Sequence, residues 1–122
     1  ILLLTDGADQ GSVYKPAEAL KQAHLADCVI YSLFYYEPYF GSDEGALKKL
    51  SSETGGRVFD VSRRGNLELA YKQLQEEMRS QYSLAYSPLN PNRDGSFRKI
   101  EIKTRDNSLK VQARRGYYAS AE

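Results

Sequence analysis

The hydrophobic period of this chain changes once, near Gln81, and that change limits what it can fold into. Before it, short apolar runs alternate with stretches of helical spacing. After it, apolar and polar residues alternate one by one. The first pattern belongs to parallel βαβ units with right-handed crossovers, the second to half-buried antiparallel strands. The expected architecture is therefore an α/β parallel sheet with flanking helices over residues 1–80, followed by a small antiparallel β extension over 81–122 packed on the same domain.

Ile1-Leu2-Leu3-Leu4 is an unbroken aliphatic run that ends in Thr5-Asp6-Gly7, and it reads as a strand covered on both faces. Pro16 suits a first helical turn, where its missing N–H costs nothing. Ala19, Leu20, Ala23 and Ala26 give that helix an apolar face, to about Asp27. Residues 28–35 read as a second buried strand, with Cys28 as a small apolar residue at its start. Ser42 is the expected cap of the next helix, with Asp43 and Glu44 favouring its positive end. Gly55-Gly56 ends that helix in the left-handed conformation, ahead of a third strand at Arg57–Val61. Asn66 is the expected cap of a longer helix with Leu67, Ala70, Tyr71, Leu74 and Met78 at helical spacing.

Beyond Gln81, Tyr82, Leu84 and Tyr86 form one alternating set, Ile100 and Ile102 a second, and Leu109, Val111 and Ala113 a third. Asp106-Asn107-Ser108 is a turn, so the last two sets predict a hairpin.

At 122 residues the chain suits one domain. Residues 1–61 carry five Lys/Arg against nine Asp/Glu, and residues 62–122 carry twelve against seven. The basic excess is spread along the second half instead of forming one run, which argues against nucleic acid as a partner. One cysteine excludes an internal disulfide and a thiolate metal cluster. No apolar stretch reaches the ~18–20 residues of a membrane-spanning helix. His24, the lone histidine, reads as a surface or boundary residue, and no Ser/His/Asp or Cys/His grouping can be assembled around it.

Ligands of open α/β sheets bind beyond the carboxyl ends of the strands, which makes Asp6 the leading functional residue and Asp9 a neighbour on the same loop. The tyrosine-rich tract Tyr35–Phe40 follows the second strand on that rim. Tyr36, Tyr39 and Phe40 are its candidate partner-binding residues, because tyrosine supplies large contact area at low entropic cost. A strand-end Asp-Gly also permits a phosphatase of the haloacid dehalogenase kind. That chemistry usually wants a second Asp two residues on, where this chain has Ala8. Residues 90–101 imitate a calcium loop in oxygen spacing, but Pro91, Arg93, Arg98 and Lys99 oppose it, and a strand-connecting turn is expected.

Several segments together carry a family resemblance. Leu3-Leu4-Thr5-Asp6-Gly7 and Ser51-Ser52-Glu53-Thr54-Gly55-Gly56-Arg57-Val58-Phe59 resemble the C-terminal half of a von Willebrand factor type A (VWA) domain. Arg79–Tyr86, Asp94–Ile100 and Arg114–Tyr118 are similar to segments of the Acidobacteria-type VWA-related proteins of bacteria. The resemblance implies a Rossmann-like sheet with only its later βα units present. It also implies a non-enzymatic protein-binding or adhesion role, export to the periplasm or exterior, and a metal-ion-dependent adhesion site holding Mg²⁺ or another divalent cation. Asp6 matches the Asp of that site's T-D-G turn. The D-x-S-x-S loop and middle-loop Thr lie upstream in the family, and no D-x-S-x-S occurs here. The expectation is a metal site incomplete in this chain. Without the family's first strand as neighbour, Ile1–Leu4 is expected to be an apolar edge that pairs with a second copy. A purely structural, self-associating half-domain is the remaining alternative.

Overall fold

A computed structural model describes residues 1–9, 11–36, 42–63 and 66–119. It is a mixed α/β structure. A three-stranded parallel sheet carries helices, and a two-stranded antiparallel sheet lies beside it. The parallel sheet has the order β1 (Leu2–Thr5), β2 (Tyr31–Phe34), β3 (Val58–Asp60). Helix α1 (Pro16–Leu25) joins the first two strands, α2 (Glu44–Thr54) the next two, and α3 (Asn66–Arg79) follows β3.

Every residue of β2 is buried, as a central strand with both faces covered requires. On one face Tyr31, Leu33 and Phe59 pack with Ala70 and Leu74 of α3. On the other, the fully buried Ser32 and Ser51 hydroxyls bond to each other at 3.0 Å, tying β2 to α2. Thr54 Oγ1 accepts the N–H of Ile30 at 3.1 Å, so the end of α2 also fixes the chain entering β2. These bonds satisfy polar groups that burial would otherwise leave unpaired.

The expected cover on both faces of β1 is not found. Register pairs Leu2 with Tyr31 and Leu4 with Leu33, so both leucines share the face of the α3 core, yet Leu2 is 42% and Leu4 62% exposed. The aliphatic run alone could not reveal this, because cover depends on how far α3 reaches, and α3 packs on β3.

Helix ends follow local chemistry. Pro16 opens α1 as expected. The cap of α2 is Asp43, not Ser42: the Asp43 carboxylate accepts the N–H of Ala46 at 2.9 Å. Gly55 closes α2 at φ +91°, with Gly55 N–H donating to Ser52 O and Gly56 N–H to Ser51 O. Asn66 is the first residue of α3 instead of its cap, and its side-chain amide donates to Asp60 O at 3.2 Å.

The antiparallel pair is β4 (Phe97–Lys99) with β5 (Gly116–Tyr118), Phe97 opposite Tyr118. The expected strands at Tyr82–Tyr86 and Leu109–Ala113 are absent, and the predicted hairpin is reduced to its turn, where Ser108 N–H donates to Asp106 at 2.9 Å. Alternation makes a strand only where one face finds cover. Tyr82, Leu84 and Leu109 are 93%, 72% and 59% exposed, whereas the paired segment meets α1. The loop of residues 90–98 is held from within, the Arg98 guanidinium donating to Asn90 O and Asn92 O.

Candidate functional site

The carboxyl ends of the three parallel strands form one rim. At the end of β1, Thr5 Oγ1 accepts the N–H of Gly7 and Asp6 Oδ1 accepts the N–H of Ala8, each at 3.0 Å. The two bonds turn the chain sharply within four residues. Gly7 lies at φ +77°, and a Cβ there would come within 2.5 Å of the Asp43 carbonyl oxygen. The T-D-G turn is thus pressed against the N-terminal cap of α2, and only glycine fits the contact. Asp6 is half-buried.

Asp9 is exposed and accepts the N–H of Ser12 at 3.0 Å. The Ser12 hydroxyl and N–H together hold the Asp9 carboxyl below its usual range. Tyr36 is 58% exposed, and its N–H donates to Ser62 Oγ at 2.8 Å. Tyr39 and Phe40 lie outside the described residues.

The rim includes groups that the sequence did not single out. Asp60 Oδ1, at the end of β3, accepts the N–H of Ser62 at 2.9 Å. The Ser62 hydroxyl and N–H, with Arg63 adding positive charge, lower the Asp60 pKa. The Asp60-Val61-Ser62 spacing was a readable turn signal. Asp43 comes to the rim through the packing of Gly7 against its backbone, a contact no local pattern announces.

A divalent cation of the Mg²⁺ type needs about six oxygens in near-octahedral array. Thr5 and Asp6 offer one hydroxyl and one carboxylate, each already accepting a backbone N–H. Among the described residues no group of three or more His, Cys, Asp or Glu side chains is positioned to hold a metal ion. The residues present do not by themselves fit the cation that the resemblance implies.

No family model and no curated protein matches this chain. Among solved structures it is similar to an uncharacterized membrane spanning protein from Vibrio fischeri, with a TM-score of 0.53 and 27% identity. The match covers 62% of this chain and 45% of that one, so the chain spans less than half of its neighbour's length. Among the described residues no helix is long and apolar enough to cross a membrane.

Proposed function

We propose that this chain is a non-enzymatic protein-binding module of the VWA type, with the strand-end rim around Asp6 as its ligand-facing surface. The observation that carries the reading is the T-D-G turn at the end of β1, seated on the N-terminal cap of α2 and sharing its rim with Tyr36 and Asp60. Thr5 and Gly7 hold the backbone of that turn, so the Asp6 carboxylate is positioned by the fold and not by a mobile loop. Asp6 is the residue of that rim whose carboxylate faces a ligand, with Tyr36 beside it as contact area.

A second reading, favoured by the uncovered Leu2 and Leu4, is self-association through β1. Main-chain pairing at a sheet edge is a common mode of protein recognition. The two readings use different parts of β1, one its end and the other its side.

The rival reading is phosphoryl transfer by Asp6. Residue 8 is Ala, which donates its N–H to Asp6 and brings no acid to the site. An aryl phosphate assayed with Mg²⁺ is expected to show no turnover that depends on Asp6. Phosphate release abolished by Asp6→Asn would make the protein an enzyme and overturn the proposal.

A further inference from the structure

We propose that His24 is a proton-operated latch holding the β4–β5 ribbon against α1, so that mild acid releases the ribbon. His24 lies in the last turn of α1 and is 8% exposed, contrary to its sequence-based reading as a surface or boundary residue. Its ring meets Phe97 of β4 edge-on, with centroids 5.3 Å apart, and Tyr118 of β5 at 6.4 Å. Phe97 and Tyr118 contact each other at 5.1 Å, so the three rings close one aromatic cluster between helix and ribbon. The buried Nε2 of His24 has no hydrogen-bond partner.

This enclosure suits a neutral imidazole. Protonation makes both ring nitrogens donors and puts a charge into the cluster, where Nε2 has no acceptor. Charges reach His24 from two directions. Glu53 of α2 favours the cation, and Arg114, just before β5, disfavours it. Arg114 is itself paired with Asp27, in the turn after α1. The strands bring the Phe97 and Tyr118 rings. Burial is the largest influence and sets the His24 pKa below its ordinary value.

The sign follows from proton linkage. A released His24 binds its proton near the ordinary value of about 6.5, and a docked one only at lower pH. Between those two values the released state holds more protons, so docking strengthens as pH rises and is lost as pH falls through that window.

The ribbon is also tethered away from the histidine. Arg115 N–H donates to Glu53 O at 2.9 Å, and Gln112 Nε2 to Gly55 O at 3.1 Å. These bonds involve no histidine, so they stay in place while the aromatic end opens. Residues 112–115 act as the hinge. At Gly116 a Cβ would collide with the Phe97 ring and come within 2.5 Å of Arg98 O, so only glycine lets the two strands close here.

Amide hydrogen exchange, corrected for intrinsic rates, tests the latch between about pH 7.5 and about pH 5, the range in which an ordinary histidine titrates. Protection at Phe97–Lys99 and Gly116–Tyr118 is expected to fall by up to about tenfold per pH unit within the window, the limit for one proton. Protection at Tyr31–Phe34 stays constant. His24→Phe is expected to remove the pH dependence of the ribbon, and His24→Gln to do the same without a third aromatic ring. An unchanged ribbon in the native protein, or the same fall in a folded variant, would overturn the latch. Should both variants lose Tyr31–Phe34 protection, the lone His24 NMR resonance decides: its titration midpoint in the docked protein must mark the lower pH limit of the ribbon's loss of protection, and a mismatch rejects the proposal.

Discussion

Gly56→Ala is expected to destabilise the fold by about 3 kcal/mol or more, the upper part of the range for overpacking a fixed site. A Cβ at residue 56 would overlap the Ile30 carbonyl oxygen and lie 2.7 Å from the Ile30 carbonyl carbon. The obstacle is backbone, and that backbone is held from two sides. Ile30 N–H is bonded to Thr54 Oγ1, and Tyr31 N–H to Ile1 O at 2.9 Å. Moving it would shift β2, the strand that both layers of helices cover. Since domains of this size hold about 5–15 kcal/mol in total, the loss takes a large part of the stability. Gly95→Ala is the control. Its backbone, at φ +71°, is adverse to a side chain in a way that of Gly56 is not, yet a Cβ there meets nothing within 4 Å, so only the packing cost is missing. Urea denaturation should separate the two variants clearly, and equal midpoints would refute the packing argument.

The second large effect is on assembly. Tyr31 N–H donates to Ile1 O and Tyr35 N–H to Thr5 O, so the odd-numbered residues of β1 direct their main-chain groups at β2. Leu2 and Leu4 therefore turn both N–H and C=O away from it, beside side chains that are themselves exposed. A row of free main-chain groups next to apolar side chains is a template for another strand. The native chain is expected to form dimers or larger species at micromolar concentration. Leu4→Lys should return it to a monomer, because a charge on an edge strand opposes pairing, while residue 4 is exposed enough to accept it. Light scattering reads both states. A monodisperse native monomer would contradict the self-association reading.

How much of this was legible depends on the range of the interaction concerned. Pro16 and Gly55-Gly56 marked helix ends correctly because their conformational limits act on their own backbone. The buried run of β2 was equally plain, since an apolar stretch between turn signals has few other uses. The α2 cap slipped by one residue, as Ser42 and Asp43 are both good caps and only the geometry of Ala46 N–H chooses between them. Beyond Gln81 the alternation was real, but pairing followed long-range contact, and it came where the Phe97 and Tyr118 rings met each other and His24. The burial of His24 was hidden for the same reason: its cage is built from residues more than seventy positions away.

The site divides along the same line. Asp6 was legible because a carboxylate ending an apolar run before a glycine has a local signature. The arrival of Asp43 and Asp60 on its rim was not, because that depends on parallel strands ending at one level and on Gly7 packing against α2.

The Asp6 rim is proposed as the ligand-facing end of this chain, and Thr5 and Asp6 bring too few oxygens to hold a divalent cation tightly by themselves. Amide broadening by Mn²⁺, a paramagnetic stand-in for Mg²⁺, tests it most directly. Weak binding, on the order of millimolar, is expected, because one carboxylate supplies few of the oxygens required. The broadening should centre on Thr5–Asp9 and disappear in Asp6→Asn. Broadening centred elsewhere, or unaltered by Asp6→Asn, would contradict the assignment of the rim, and low-micromolar affinity would contradict its incompleteness.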